Sequence, residues 1–300
     1  MTRSSLVFVR DAVATGGLGM KRLRLVVLAA LVAFIAPALV IGPSAMAQSS
    51  APASAPVAPS DAPPARSAPS SDASLRPEPS RGTQRRTQYV DASLLDLVRL
   101  LPPPPADDSR ETRAELDEML RIQKKRNDVQ VSRAQADADI TINRFADALG
   151  APAGFDVKNL PATTLLFRKI TTDEFVVVGT GKDKFARPRP FALEKRLQPV
   201  VEKPPNGSYP SGHTVWGHTV GLVLADMVPE RRPQLMTRAE EYANNRVVAG
   251  VHYPSDIESG RMAATAFAAA LFASSAFQSD LAAARAELRQ ALNLTATTVH

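Results

Sequence analysis

Cysteine is absent from the 300 residues, so neither disulfides nor thiolate metal sites are available. No His-Glu-x-x-His or comparable spacing joins the four histidines. A metal site on His213, His252 and Asp256 therefore has no spacing behind it, and no metal or other cofactor is expected. Charge of either sign is missing between Leu25 and Asp61. Beyond the N-terminus long apolar runs are lacking too. The uncharged stretch 262–279 falls short of the ~20 residues that span a bilayer and is dotted with Thr, Ser and Gln, so it reads as core. No internal repeat is present.

The chargeless stretch is informative because Lys21, Arg22 and Arg24 precede it and Ala45 and Ala47 close it. A basic segment, an apolar segment and small residues predict a secretory signal over 1–47, cut before Gln48. An uncleaved anchor is the rival reading, and both put the remainder outside the cytoplasm, in the periplasm or secreted. Without residues 1–47 the chain keeps 31 basic and 29 acidic residues, a net of +2 against +6 for the whole. The electrostatic argument for a nucleic-acid partner then disappears.

Residues 48–87 are almost all Ala, Pro, Ser, Asp and Arg, with too little apolar mass to fold, and predict a disordered linker. Beyond it, 88–300 predict one all-α domain of helical-bundle type. "VDASLLDLVRLL" has helical spacing and is stopped by Pro102–Pro105. Leu116, Met119, Leu120 and Ile122 mark an amphipathic helix, and a further helix is expected to end at Gly150. "ATTLLFRKITTDEFVVVGTG" stays ambiguous, because Val176–Val178 favour a strand while the neighbours are helical. From Ser211, Trp216, Val220, Val223 and Met227 share one face of a helix apolar nearly all round, which predicts burial. No stable membrane insertion of this domain is expected, and a homodimer is kept open.

Three stretches place unusual chemistry beside helix starts: "GKDKFARPRP" (181–190), expected as a proline-stiffened loop; "PSGH" (210–213); and "NNRVVAGVHYPSD" (244–256). Converging Lys and Arg side chains suit a tetrahedral oxyanion. Ser211 and Gly212 precede a helix, whose N–H groups and dipole add anion affinity. Asp256 could bond one nitrogen of His252, fix its tautomer and leave the other as a nucleophile. His213 would then protonate a leaving group. That division of labour describes metal-independent phosphoryl transfer through a phosphohistidine.

At this point the chain resembles the bacterial class A non-specific acid phosphatases of the type 2 phosphatidic-acid-phosphatase and vanadium haloperoxidase superfamily. The resemblance rests on Lys182-x6-Arg189-Pro190, Pro210-Ser211-Gly212-His213 and Arg246-x5-His252-x3-Asp256. It implies phosphate contacts from Lys182, Arg189, Arg246 and the Ser211–Gly212 backbone. It also implies His252 as nucleophile, His213 as general acid and Asp256 as the orienter of His252. Asn245 departs from the pattern, which has Ser before the arginine, and a retuned Arg246 environment is expected.

Lys184 and Arg187 fall outside the spacing and read as solvated loop charges. His218 reads as structural or as support behind the site, and Tyr209 and Trp216 as packing. The expected substrates are small phosphate monoesters, cleaved with broad specificity at acid to neutral pH. Three alternatives stay open: a vanadium-dependent haloperoxidase, a lipid-phosphate phosphatase, and a helical envelope protein that binds anions without turnover.

Overall fold

The computed structural model describes Leu75 and residues 86–295, and among these there is no strand. The expected signal segment 1–47 and nearly all of the expected linker lie outside the described residues. In chain order the helices are α1 (Leu97–Leu100), α2 (Arg110–Lys125), α3 (Asp128–Ala136), α4 (Ala146–Leu149), α5 (Pro161–Phe185), α6 (Pro190–Leu193), α7 (Gly212–Met227), α8 (Arg232–Val248), α9 (Pro254–Ala273) and α10 (Ser275–Ala291).

α7 is the central rod. Its residues are buried on almost every side, which is why its sequence lacks a polar face. Glycines let its neighbours close in. A methyl group on Gly217 would lie 2.6 Å from the Tyr242 ring of α8, and one on Gly260 of α9 would lie 2.7 Å from Thr214. Trp216 is fully buried, and its indole N–H donates to Thr171 Oγ1 of α5 at 2.9 Å, so its one polar atom has a partner.

The ambiguous segment is helical. Val176–Val178 lie inside α5, where Val177 and Val178 are buried against the core. Tertiary packing outweighs their strand propensity. The helix expected to run on to Gly150 is instead interrupted. α3 stops at Ala136, a 3-10 turn covers Ile142–Phe145, and α4 then ends at Gly150 in the left-handed region, φ 66°. At the break stands Asp137, the cap of α3, whose fully buried carboxylate accepts from Arg144 Nε at 2.9 Å, from Arg238, and from Asn245 Nδ2 at 2.7 Å. The first expected helix shrinks to the single turn α1, started by Asp96.

Asp173, buried in α5, accepts the consecutive N–H groups of Gln88, Tyr89 and Val90 at 2.6, 2.7 and 3.0 Å. A buried carboxylate needs such donors, and they pin the chain where the domain begins. Leu75, inside the expected linker, is nevertheless buried and donates its N–H to the Ile140 carbonyl at 2.8 Å. That residue belongs to the packed unit, not to a free tether.

Candidate active site

Three junctions between helix and loop bring the site together. At the first, α5 ends because Pro188 bars the preceding residue from continuing the helix. Ala186 turns left-handed, φ 47°. Lys182 and Lys184 therefore sit in the last turn of α5 and not in a loop, as the sequence had suggested. Lys184 is exposed as expected, whereas Lys182, Arg187 and Arg189 are buried.

Asn206–Pro210 lies against that turn. Gly207 allows it, since a Cβ there would come within 3.1 Å of the Lys182 carbonyl. The Lys182 ammonium donates to the carbonyls of Gly207, Ser208 and Pro210 at 2.9, 3.2 and 2.7 Å. All three of its N–H bonds are engaged, so in this state it acts on the site as a charge. Burial and the neighbouring Arg189 pull its pKa down to about 7, while Asp256 and Glu174 pull it back up.

The second junction is the start of α7. Ser211 is its N-cap, with Oγ accepting from the Thr214 N–H at 3.3 Å. Ser211's own N–H is donated to the Asp256 carbonyl at 3.1 Å. The first N–H that α7 turns toward an anion is therefore that of Gly212. His213 follows, half-buried, with Nε2 3.1 Å from the Ala138 carbonyl and its ring stacked on Tyr242, centroids 6.0 Å apart.

The third junction runs from α8 into α9. Arg246 is buried near the end of α8, and Gly250 at φ 79° turns the chain. Pro254 then opens α9, a position where its missing N–H costs nothing. Asp256 sits two residues further on and reaches back to the Tyr253 N–H at 2.9 Å. Its fully buried carboxylate also accepts from Ser208 Oγ at 2.5 Å and Arg187 at 2.7 Å, and lies 3.1 Å from His252 Nδ1.

A carboxylate beside Nδ1 puts the hydrogen there and leaves Nε2 with its lone pair. Nε2 faces an Arg189 N–H at 2.8 Å. Burial holds the pKa of His252 well below its usual value, helped by the charges of Arg189, Lys182, Arg246 and Arg187. The imidazole is thus neutral and aimed at cations. Arg189 is fixed by the Val251 carbonyl and by the backbone and side-chain oxygens of Asn206. Burial moves its pKa down to about 10, which leaves it charged.

Lys182, Arg189, Arg246, His252 and Asp256 thus lie within reach of one another, with Ser211 bonded to Asp256 and Gly212 beside Lys182, while His213 lies against Ala138 and Tyr242. Two that sequence reasoning missed join them. Arg187, expected to be solvated, is buried over the Tyr253 ring at 3.8 Å and bridges Asp256 to Glu115 of α2. Ser208 bonds the same carboxylate as His252. His218 takes no part. It is buried on α7 with Nε2 3.5 Å from Glu240.

Four buried cations around a neutral imidazole, with a helix start at the rim, form a site for a tetrahedral anion. The sequence profile described as PAP2 superfamily matches residues 162–280. The non-specific acid phosphatase of Salmonella typhimurium is 32% identical over 201 residues, covering 65% of this chain and 80% of that protein. The non-specific acid phosphatase of Providencia stuartii is 30% identical over 211 residues, 66% of this chain and 82% of that one. Among solved structures, a holo-type bacterial vanadium-dependent chloroperoxidase is similar with a TM-score of 0.49 and 14% identity, over 70% of this chain and 59% of that chain. The chain belongs to the PAP2 superfamily, in its branch of non-specific acid phosphatases.

Proposed function

We propose that the protein is a phosphatase that hydrolyses phosphate monoesters through a phosphohistidine on His252, without a metal. The observation that carries this reading is the polarity of His252. Its Nδ1 is held by Asp256 at 3.1 Å, and its Nε2 faces Arg189 at 2.8 Å among buried cations.

The phosphoryl group takes the place of that guanidinium contact. Arg189, Arg246, the charge of Lys182 and the Gly212 N–H stabilise its non-bridging oxygens. Nε2 attacks phosphorus as the bond to the ester oxygen breaks, and His213 gives that oxygen its proton. Asp256 steadies the positive charge that grows on His252. His213, now neutral, takes a proton from the water that attacks the phosphohistidine, and orthophosphate leaves. Since Gly212 and His213 are only half-buried while the cations are buried, the leaving group stays near solvent, which supports broad specificity. Relatives at or above 30% identity over most of their own length are named acid phosphatases, and this favours hydrolysis over halide oxidation.

Quenching turnover of a monoester in alkaline denaturant and mapping the phosphate by mass spectrometry tests the reading. Phosphate is expected on the His252 peptide, and His252→Ala is expected to lose both adduct and turnover. Wild-type-like turnover by that variant would sink the mechanism. Export rests on the N-terminal pattern alone, and the expected product is an extracytoplasmic protein beginning at Gln48, which N-terminal sequencing decides.

A further inference from the structure

The proton donor of this reaction stands half-buried at the rim, where an imidazole has freedom to turn unless something holds it. Two neighbours do. The Ala138 carbonyl can only accept, so the hydrogen of that 3.1 Å contact belongs to His213 Nε2. Nδ1 is then the nitrogen whose proton changes hands. The Tyr242 ring lies against the imidazole at an interplanar angle of 22°, and its hydroxyl donates to the Asp139 carbonyl at 2.9 Å. Both restraints thus end on the two residues 138–139, which follow α3 and belong to no helix.

Those two residues are placed by Asp137. Its buried carboxylate gathers Arg144 of the following turn with Arg238 and Asn245 of α8. Arg238 Nε also donates to the Arg144 carbonyl at 2.8 Å, closing the ring of contacts. Asn245 is the member next to the anion site, since it immediately precedes Arg246. It is also the residue at which the sequence departs from the pattern it otherwise follows. A serine hydroxyl there, one bond nearer the backbone, is too short to keep the 2.7 Å bond to Asp137.

We propose that Asn245 is a positioning residue for the general acid: through Asp137 it fixes the 138–139 carbonyls that set the His213 imidazole, and so couples the helix bearing Arg246 to proton delivery. The inference rests on the reading of His213 as proton donor.

A general acid matters in proportion to the basicity of the leaving oxygen. An alkoxide needs the proton as it departs, whereas p-nitrophenolate leaves nearly unaided. The experiment measures kcat/KM for glycerol 2-phosphate and p-nitrophenyl phosphate with wild type, Asn245→Ser, Asn245→Ala and His213→Ala. That ratio reports only the steps up to release of the alcohol, and so leaves out the shared hydrolysis of the phosphohistidine that His213 also serves. General acids contribute on the order of 10²–10⁴-fold, so His213→Ala should lose about that factor on the alkyl ester and far less on the aryl ester. The Asn245 variants are expected to show the same selectivity in miniature, roughly a tenfold loss of kcat/KM on the alkyl ester and far less on the aryl ester. Tyr242→Phe, which removes only the hydroxyl bond to Asp139, should repeat the pattern if the Asn245 variants fold poorly. Equal losses on both esters, or none, in the Asn245 variants while His213→Ala stays selective would overturn the positioning role alone. Equal losses in His213→Ala would show instead that the acid is misassigned, and the inference falls with it.

Discussion

Lys182 titrates inside the working range of the site, and this has two consequences of opposite sign. Unfolded, the group has an ordinary pKa of 10.5; folded and without an anion, it is pulled down to about 7. Below pH 7 the ammonium is charged in both states. Between about 7 and 10.5 the unfolded chain holds a proton that the folded protein lacks, so stability should rise with pH across that window. At about 1.4 kcal/mol per pH unit the full effect is on the order of 4–5 kcal/mol, since the side chain is nearly all buried. Activity should go the other way. An uncharged Lys182 cannot stabilise an anion, so kcat/KM should fall roughly tenfold for each pH unit above about 7. Neutral His252 sets no limit on that side, because it stays unprotonated well below its usual pKa. A bound dianion should draw the proton back onto Lys182. Calorimetry with sulfate, which exchanges no proton of its own in this range, in buffers of different ionisation heat should show uptake near one proton at pH 8. The uptake should vanish in Lys182→Met. A kcat/KM that is flat to pH 9, or sulfate binding at pH 8 without proton uptake, would refute the reasoning.

Two further expectations concern residues outside the anion contacts. Arg187→Met leaves Asp256 and Glu115 without their buried partner, a loss of about 3–5 kcal/mol. A melting temperature lower by roughly 10 °C and a kcat down more than about tenfold at similar KM are expected; an unchanged melt would mean the bridge is dispensable. Gly260→Ala sets a methyl group 2.7 Å from Thr214 Cβ and 3.0 Å from the Ser211 carbonyl. The crowding should cost about 1–3 kcal/mol, read as a lower urea midpoint, and no change in that midpoint would show that α9 yields freely there.

The helical class was legible in the sequence from its apolar faces, and the residues that the resemblance singled out lie close to three helix boundaries. Pro188, Ser211 and Pro254 set those boundaries locally, and side chains one to eight residues away inherit their direction. Arg187 was not legible. A Lys/Arg-rich stretch between prolines reads as solvated, and only the arrival of Glu115 and Asp256 from distant helices buries it. Ser208 gave no sign either, since its partner is 48 residues away. The interruption after α3 was hidden for a related reason: Asp137 looks like any polar helix residue until Arg238 and Asn245 of α8 converge on it. Val176–Val178 misled in the other direction, because propensity is local and the core that overrides it is not.

In the proposed reaction the phosphoryl group is held by buried residues and the leaving oxygen meets the half-buried His213, and this contrast bears on how the catalyst is switched off. On that reading nearly all the favourable contact falls on the phosphoryl group, and the departing alcohol takes little with it. Orthophosphate should therefore compete with its own precursors at comparable concentrations. As free phosphate accumulates around the protein, turnover should slow in proportion, with no separate regulatory site required.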